Sequence, residues 1–361
     1  MRLQAFSEAQ NKLRDADGPV QLAGCVESQK VQMMSQAGPA KTRLIVTYDE
    51  REARLILEDL ALFSSCPLLF PEKDILFYQA DTKSNVLLRE RMRVFRALHE
   101  ARSDPEKEVA VVTTPGGVMN ALAPFELFED RLLSLEEAAV VEPAALMQKL
   151  AELGYERTAK VEAPGEFAVH GGVFDIFDLT SESPVRLDFF DNEIDTIRVF
   201  DPGTQLSGER VGRVTVYPAS ELFLEKRELE RGWENIRKDA GENLKVFREK
   251  DDLENGASLQ NYLRSLEDEV LSHNCKGLLE GCLTYFYDET QTLIDYLPEG
   301  SVICLEEPNR IEGSARFMEE EFRESFEMRL KKGLALTEEE RFIPFSAVTK
   351  QGLEELYACL K

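Results

Sequence analysis

Basic residues are in short supply: 43 Lys and Arg stand against 68 Asp and Glu, a net charge of -25 over 361 residues. Affinity for phosphate backbones rests on Lys and Arg displacing counterions, so this balance argues against nonspecific nucleic-acid binding, although it is silent about local patches. The six cysteines (Cys25, Cys66, Cys275, Cys282, Cys304, Cys359) include no C-x-x-C pair, and the three histidines (His99, His170, His273) are scattered. Zinc-ligand spacing is therefore absent, and a disulfide framework is not expected in a chain of this size. No apolar run reaches the ~18 residues of a membrane span, and the first residues, MRLQAFSEAQNKLRD, lack the apolar core of a secretory leader. A cytoplasmic protein without membrane partners is expected. The length, with 43% hydrophobic and 31% charged residues, suits two or more domains with real cores.

What is present over residues 1–123 is an alternation of strands and helices. Residues 43–48 (RLIVTY) form a continuous apolar run of the kind buried on both faces of a parallel sheet. Asp49 is placed to cap the following helix, in which Ala53, Ile56, Leu57, Leu60 and Phe63 share one face. Further strands are predicted over 67–70 and 109–113, with helices over 30–36 and 85–100 and from Val118. This order predicts a parallel sheet covered by helices on both faces.

A phosphate-binding loop of the form G-x-x-x-x-G-K-[ST] needs glycines so that backbone N–H groups wrap the phosphates. It also needs Lys for the terminal phosphates and a hydroxyl for magnesium. Residues 24–31 read GCVESQKV. Gly24 and Lys30 hold matching positions, but Gln29 replaces the second glycine and Val31 replaces the hydroxyl. Glu27 adds a carboxylate where phosphates would lie. The turn reads as the relic of a nucleotide site. Glu306 and Glu307 end an apolar strand, where a working ATPase would hold magnesium and position water. Without the loop hydroxyl that pair has little to serve, and no metal is expected.

The most informative stretch is 164–207. In residues 184–190 (PVRLDFF), Val185, Leu187 and Phe189 point one way, and Arg186, Asp188 and Phe190 the other. Asp191-Asn192-Glu193 breaks the run and residues 194–200 resume it, so this is a hairpin. One side feeds a core; the other displays an arginine, a carboxylate and a phenylalanine, a composition typical of interface centres. The full string, GEF-x-x-x-GG-x-x-DIF followed by P-x-R-L-D-F-F-D-x-E-I-D-x-I-R-x-F-D-x-x-T-Q, resembles the second domain of the transcription-repair coupling factors (Mfd). The excision-repair protein UvrB carries a related version, and in both families this domain binds UvrA. Residues 218–221 (PASE) and 285–311 also resemble Mfd. The lost nucleotide motif favours Mfd over UvrB, as does the lack of UvrB's tyrosine-rich DNA-gripping hairpin.

The resemblance implies an α/β fold: a RecA-like parallel-sheet domain with a degenerate nucleotide site, interrupted by a small α+β domain with an antiparallel sheet. The expected boundaries are 1–123 for the first part, 124–220 for the inserted UvrA-binding domain, 221–335 for the return and 336–361 for a linker or following domain. Ser134 is read as a helix cap, residues 143–153 as a helix beginning at proline, and residues 224–246 as a long surface helix. Residues 249–257 (EKDDLENGA) are polar and are read as a mobile stretch. Helices are expected on to residue 279, over 312–330 and at 350–361.

Carried over by position, the family's UvrA contacts fall on His170, Arg186 and Phe190. His170 departs from the family's arginine and is mostly uncharged above about pH 6.5. It is read either as a weakened contact or as a bystander. Arg198 is a further candidate, with pairing to Glu193 or Asp195 as the alternative. The implied role is recruitment of UvrA to stalled RNA polymerase for nucleotide excision repair, without cofactor or ATPase activity in this module. ATP, magnesium, DNA and RNA polymerase would be engaged by other domains, and the module is expected to contact the motor. The alternatives are an NTP-binding α/β enzyme with a drifted loop, and an autoinhibitory clamp. The chain is expected to be an N-terminal piece cut from its motor, with a naturally shortened relative as the other possibility.

Overall fold

The computed structural model describes residues 8–9, 11–13, 19–25, 28–73, 83–272 and 282–336. The expectations for Val26, Glu27, His273, Cys275, residues 274–279, Cys359 and the tail helix at 350–361 lie outside those residues.

Four strands form the parallel sheet: β1 (Thr42–Val46), β2 (Pro67–Phe70), β3 (Val109–Thr113) and β12 (Val302–Leu305), in the order β12-β1-β3-β2. Every residue of β1 and β3 is buried, as their unbroken apolar sequence requires. Helices α1 (Ser28–Ser35), α2 (Glu50–Leu60) and α3 (Lys83–Ser103) supply the covering layers. Asp49 caps α2 by accepting from the Glu52 N–H at 2.8 Å, and Ala53, Ile56 and Leu60 bury the predicted face. The short α4 (Pro115–Met119) begins at its proline, three residues earlier than the sequence pattern predicts, and α5 (Phe125–Asp130) follows.

Ser134 is not a helix cap. It lies in β4 (Leu133–Glu136), which pairs antiparallel with β11 (Arg213–Val216) and forms a two-stranded stem where the chain leaves and rejoins the parallel-sheet region. Between them come α6 (Pro143–Glu152) and a six-stranded sheet of β5 (Glu156–Arg157), β6 (Glu166–His170), β7 (Val173–Ile176), β8 (Val185–Phe190), β9 (Glu193–Phe200) and β10 (Ser207–Arg210). Its order, β10-β9-β8-β7-β6-β5, is sequential; β6 to β10 pair antiparallel as expected, and only the two-residue β5 pairs parallel, with β6. Phe167, Phe174, Ile176, Leu187, Ile194 and Ile197 point to one face and join the core that continues into the parallel-sheet region.

The return to that region is held by a buried ion cluster. Arg91 of α3 donates to both carboxylate oxygens of Glu221, at 2.7 and 3.0 Å, and Lys73 lies 3.2 Å from the same group. Beyond it run α7 (Lys226–Glu249) and α8 (Leu253–Ser272), then α9 (Leu283–Phe286), β12 and α10 (Pro308–Lys331). Within the polar stretch 249–257, α7 ends at Glu249, and α8 begins at Leu253 with Asp252 accepting from the Asn255 N–H. The polar run is a tight turn between two packed helices.

Candidate functional site

Two places were singled out by sequence, and the fold keeps them apart. The first is the turn before α1. Residues 19–25 form no strand; Val20 and Leu22 are exposed, and Gly24 has φ +79°. Gln29 is exposed and Val31 buried, so neither offers a group to a ligand at the helix start. Lys30 turns inward. Its ammonium lies 2.7 Å from Glu306 and 2.8 Å from Glu52, and the Thr47 hydroxyl donates to the other Glu306 oxygen at 2.8 Å. Burial opposes the charge on Lys30, but hydrogen bonds to Glu306 and Glu52 outweigh it and hold the pKa above its ordinary value. The structure thus brings Lys30 and Glu306 together. Glu307, at φ +56°, instead starts α10 and is exposed.

The second place is the outer face of the six-stranded sheet, and it carries all four predicted contact residues. Gly171, at φ +61°, and Gly172 turn β6 into β7; Asp191, at φ +57°, and Asn192 turn β8 into β9, so that Glu193 already belongs to the strand. Pairing matches His170 with Val173, Val173 with Asp188, and Asp188 with Thr196. A second row runs Ala168, Asp175, Arg186, Arg198, Arg210. Phe190 stands beyond these rows, paired with Glu193 beside the turn and 80% exposed.

A bulge makes the two faces distinct. Asp188 pairs with Thr196 but Phe189 pairs with Ile194, which leaves Asp195 as an extra residue on β9. The shift returns Ile194 to the core side, where it is fully buried, and puts Glu193 beside Phe190 on the outer side.

The outer face is open at the turn end and covered at the other. Val161 packs with Ala168, Phe177 and Phe200. His170 Nε2 lies 2.7 Å from the Ala159 carbonyl, and the Gln205 amide donates to the Val161 carbonyl at 3.2 Å, which fastens the segment around Val161 across the sheet. Arg186 lies at the edge of this cover. It donates to both oxygens of the buried Asp175 at 2.7 and 2.8 Å and to the Gln205 carbonyl at 3.2 Å, and it sits over the Phe200 ring at 4.6 Å. Its hydrogen bonds to Asp175 raise the guanidinium pKa further. Arg186 is therefore mostly a holding residue, 20% exposed, while Phe190 and Arg198 are free to meet a partner. The predicted pairing of Arg198 with Glu193 or Asp195 does not form.

Sequence reading missed Asp175, although it lies in the quoted DIF string on the strand neighbouring Arg186, at a spacing that alternation can pair. Glu137 and Arg210 carried no readable signal, because the ion pair they form joins residues 73 apart in the chain.

Residues 133–222, which contain this sheet, match the family described as the UvrB interaction domain. The chain is also similar to a transcription-repair-coupling factor of Bacillus subtilis (strain 168), at 30% identity over 311 residues, or 82% of this chain and 25% of the relative. Similar proteins of the same name in Staphylococcus aureus (strain MRSA252) and Staphylococcus epidermidis (strain ATCC 35984) are 28% and 30% identical over 80% and 75% of this chain. The chain spans about a quarter of the length of these curated relatives.

Proposed function

We propose that this chain, which carries the N-terminal UvrB-like module of the transcription-repair coupling factors, recruits UvrA through the open end of its six-stranded sheet. The carrying observation is Phe190. It is an 80% exposed aromatic on an otherwise ordered strand, on the same outer face as the exposed Arg198 and four residues along β8 from the Arg198 partner Arg186, inside the segment that matches the UvrB interaction domain. A large ring held rigidly in water contributes nothing to the fold and is well suited to anchor a partner. In this reading the module itself turns over no nucleotide, and RNA polymerase, DNA and ATP are handled by other parts of such a protein. The neutralised Lys30 supports that division, because the ammonium a phosphate would need is already held by two carboxylates.

Calorimetric titration of UvrA into the chain and its Phe190→Ala variant tests the reading. A loss of about 1 to 3 kcal/mol in binding is expected, with folding stability unchanged within about 0.5 kcal/mol. Unchanged affinity overturns it. Arg186→Ala is the poorer test, since it also strands the buried Asp175.

A further inference from the structure

The outer face of the sheet holds three arginines in one transverse row. Arg186 pairs in register with Arg198, and Arg198 with Arg210. Like charges set directly across a ladder repel one another. The fold pairs the two outer members directly with carboxylates and leaves the middle one without a direct contact. Arg186 is clasped by Asp175; Arg210 donates to both oxygens of Glu137 at 2.7 and 2.9 Å. Arg198 is exposed and makes no ion pair among the described residues; Glu137, already held by Arg210, lies close enough to feel its charge. In a chain with 68 acidic residues to 43 basic ones, the middle arginine of the row is the one whose guanidinium faces water with no described carboxylate holding it.

We propose that Arg198 receives a carboxylate from the surface of UvrA, with Phe190 supplying the apolar half of the contact; this rests on the docking reading above. The flanking pairs keep Arg186 and Arg210 from competing for that carboxylate and fix the row in place. A protein carboxylate fits better than a nucleic-acid backbone. Asp188, Glu193, Asp195 and Glu209 lie on the same three strands and would repel a continuous line of phosphates. A single acidic side chain opposite Arg198 avoids them.

The test is the affinity of UvrA for the wild-type chain and its variants over a range of salt concentrations. Arg198→Ala is expected to weaken binding about ten-fold and to flatten its salt dependence, and Arg198→Glu to weaken it about a hundred-fold. Arg198→Lys retains most of the affinity. Glu137→Gln keeps the oxygen that the Ile197 N–H and Arg210 Nε share but removes the negative charge beside Arg198, and it strengthens binding about three-fold. Thermal unfolding of Arg198→Ala and Arg198→Lys stays close to the wild-type midpoint, because the side chain makes no hydrogen bond or ion pair in the free fold among the described residues. Arg198 variants with wild-type affinity and salt slope, alongside a weakened Phe190→Ala, overturn this assignment and leave the docking reading standing. A wild-type chain that does not bind UvrA overturns both. Displacement of UvrA by a short DNA duplex would make the row a phosphate site and equally overturn the assignment.

Discussion

Lys30 Nζ lies 2.7 Å from Glu306 Oε1, across 276 residues of sequence, and ties the start of α1 to the end of the central parallel sheet. Glu306 is 7% exposed, and besides this ammonium it has the Thr47 hydroxyl. Replacing Lys30 with methionine leaves a buried carboxylate with one neutral donor, and a loss of about 1 to 3 kcal/mol is expected by denaturant unfolding. The double variant Lys30→Met, Glu306→Gln should lose clearly less than the sum of the two single changes. The same contact predicts that ATP with magnesium leaves the unfolding midpoint of the wild-type chain unmoved; a rise of several degrees would restore the nucleotide-binding reading.

Glu221 gives the fold an acid limit. Burial by itself would raise its pKa, but Arg91 and Lys73 outweigh that and hold it well below the ordinary value of 4.5. A carboxylate depressed in the folded state contributes stability that is complete above its unfolded pKa and is lost as pH falls through the folded one. Stability should therefore decline below about pH 4.5, with the stem between the two sheets loosening first. In Glu221→Gln that part of the acid sensitivity disappears, while the protein is less stable at pH 7. An unfolding curve with the same acid slope in both proteins would remove Glu221 from the account.

Much of this was legible in the sequence, for reasons that differ by element. The strands of the parallel sheet declared themselves as unbroken apolar runs, because burial on both faces leaves no room for polar residues. The β8–β9 hairpin was readable from alternation and from an Asp-Asn turn that tolerates positive φ. Ser134 misled because a serine before acids is a capping signal, whereas its strand is stabilised by β11, 79 residues later, where Arg213 donates to its hydroxyl. Residues 249–257 hid the start of α8, because a turn between two packed helices has the polar composition of any mobile stretch. On the outer face of the six-stranded sheet, alternation placed Arg186 and Phe190 on one side. The same alternation could have set Asp175 opposite Arg186, but it does not tell that the two close into a bidentate pair while Phe190 stays in water.

Arg186 and Asp175 are predicted to act on the fold before they act on a partner. Asp175 is 4% exposed, so Arg186→Ala leaves a buried carboxylate without its bidentate donor, at a cost of roughly 3 kcal/mol. Asp175→Asn should cost less, since the amide oxygen still accepts from the guanidinium. Equal stability of wild type and Arg186→Ala in urea would show that the pair contributes little.

His170 separates the two roles the sequence left open. Its ring is exposed and touches the Ala159 carbonyl at 2.7 Å. An arginine there can keep a donor on that carbonyl and add a permanent charge to the outer face that carries Phe190. His170→Arg is expected to strengthen UvrA binding by about 0.5 to 1.5 kcal/mol at neutral pH. No gain would leave His170 as a fastening for the segment around Val161.

The bulge at Asp195 is what allows Ile194 and Thr196, two positions apart on β9, to face opposite ways. With Asp195 deleted, regular pairing carried on from Asp188 and Thr196 sets Phe189 against Ile194 and Phe190 against Glu193, the pairs already present. The Asp191-Asn192 turn and the outward position of Phe190 are therefore kept. The deletion is expected to change stability by no more than about 1 kcal/mol and to leave UvrA affinity close to that of the wild type, and Asp195→Ala, which keeps the extra residue, should behave in the same way. A deletion variant that loses UvrA affinity while Asp195→Ala keeps it would mean that the local twist of the bulge, and not the pairing register, positions the Phe190 ring.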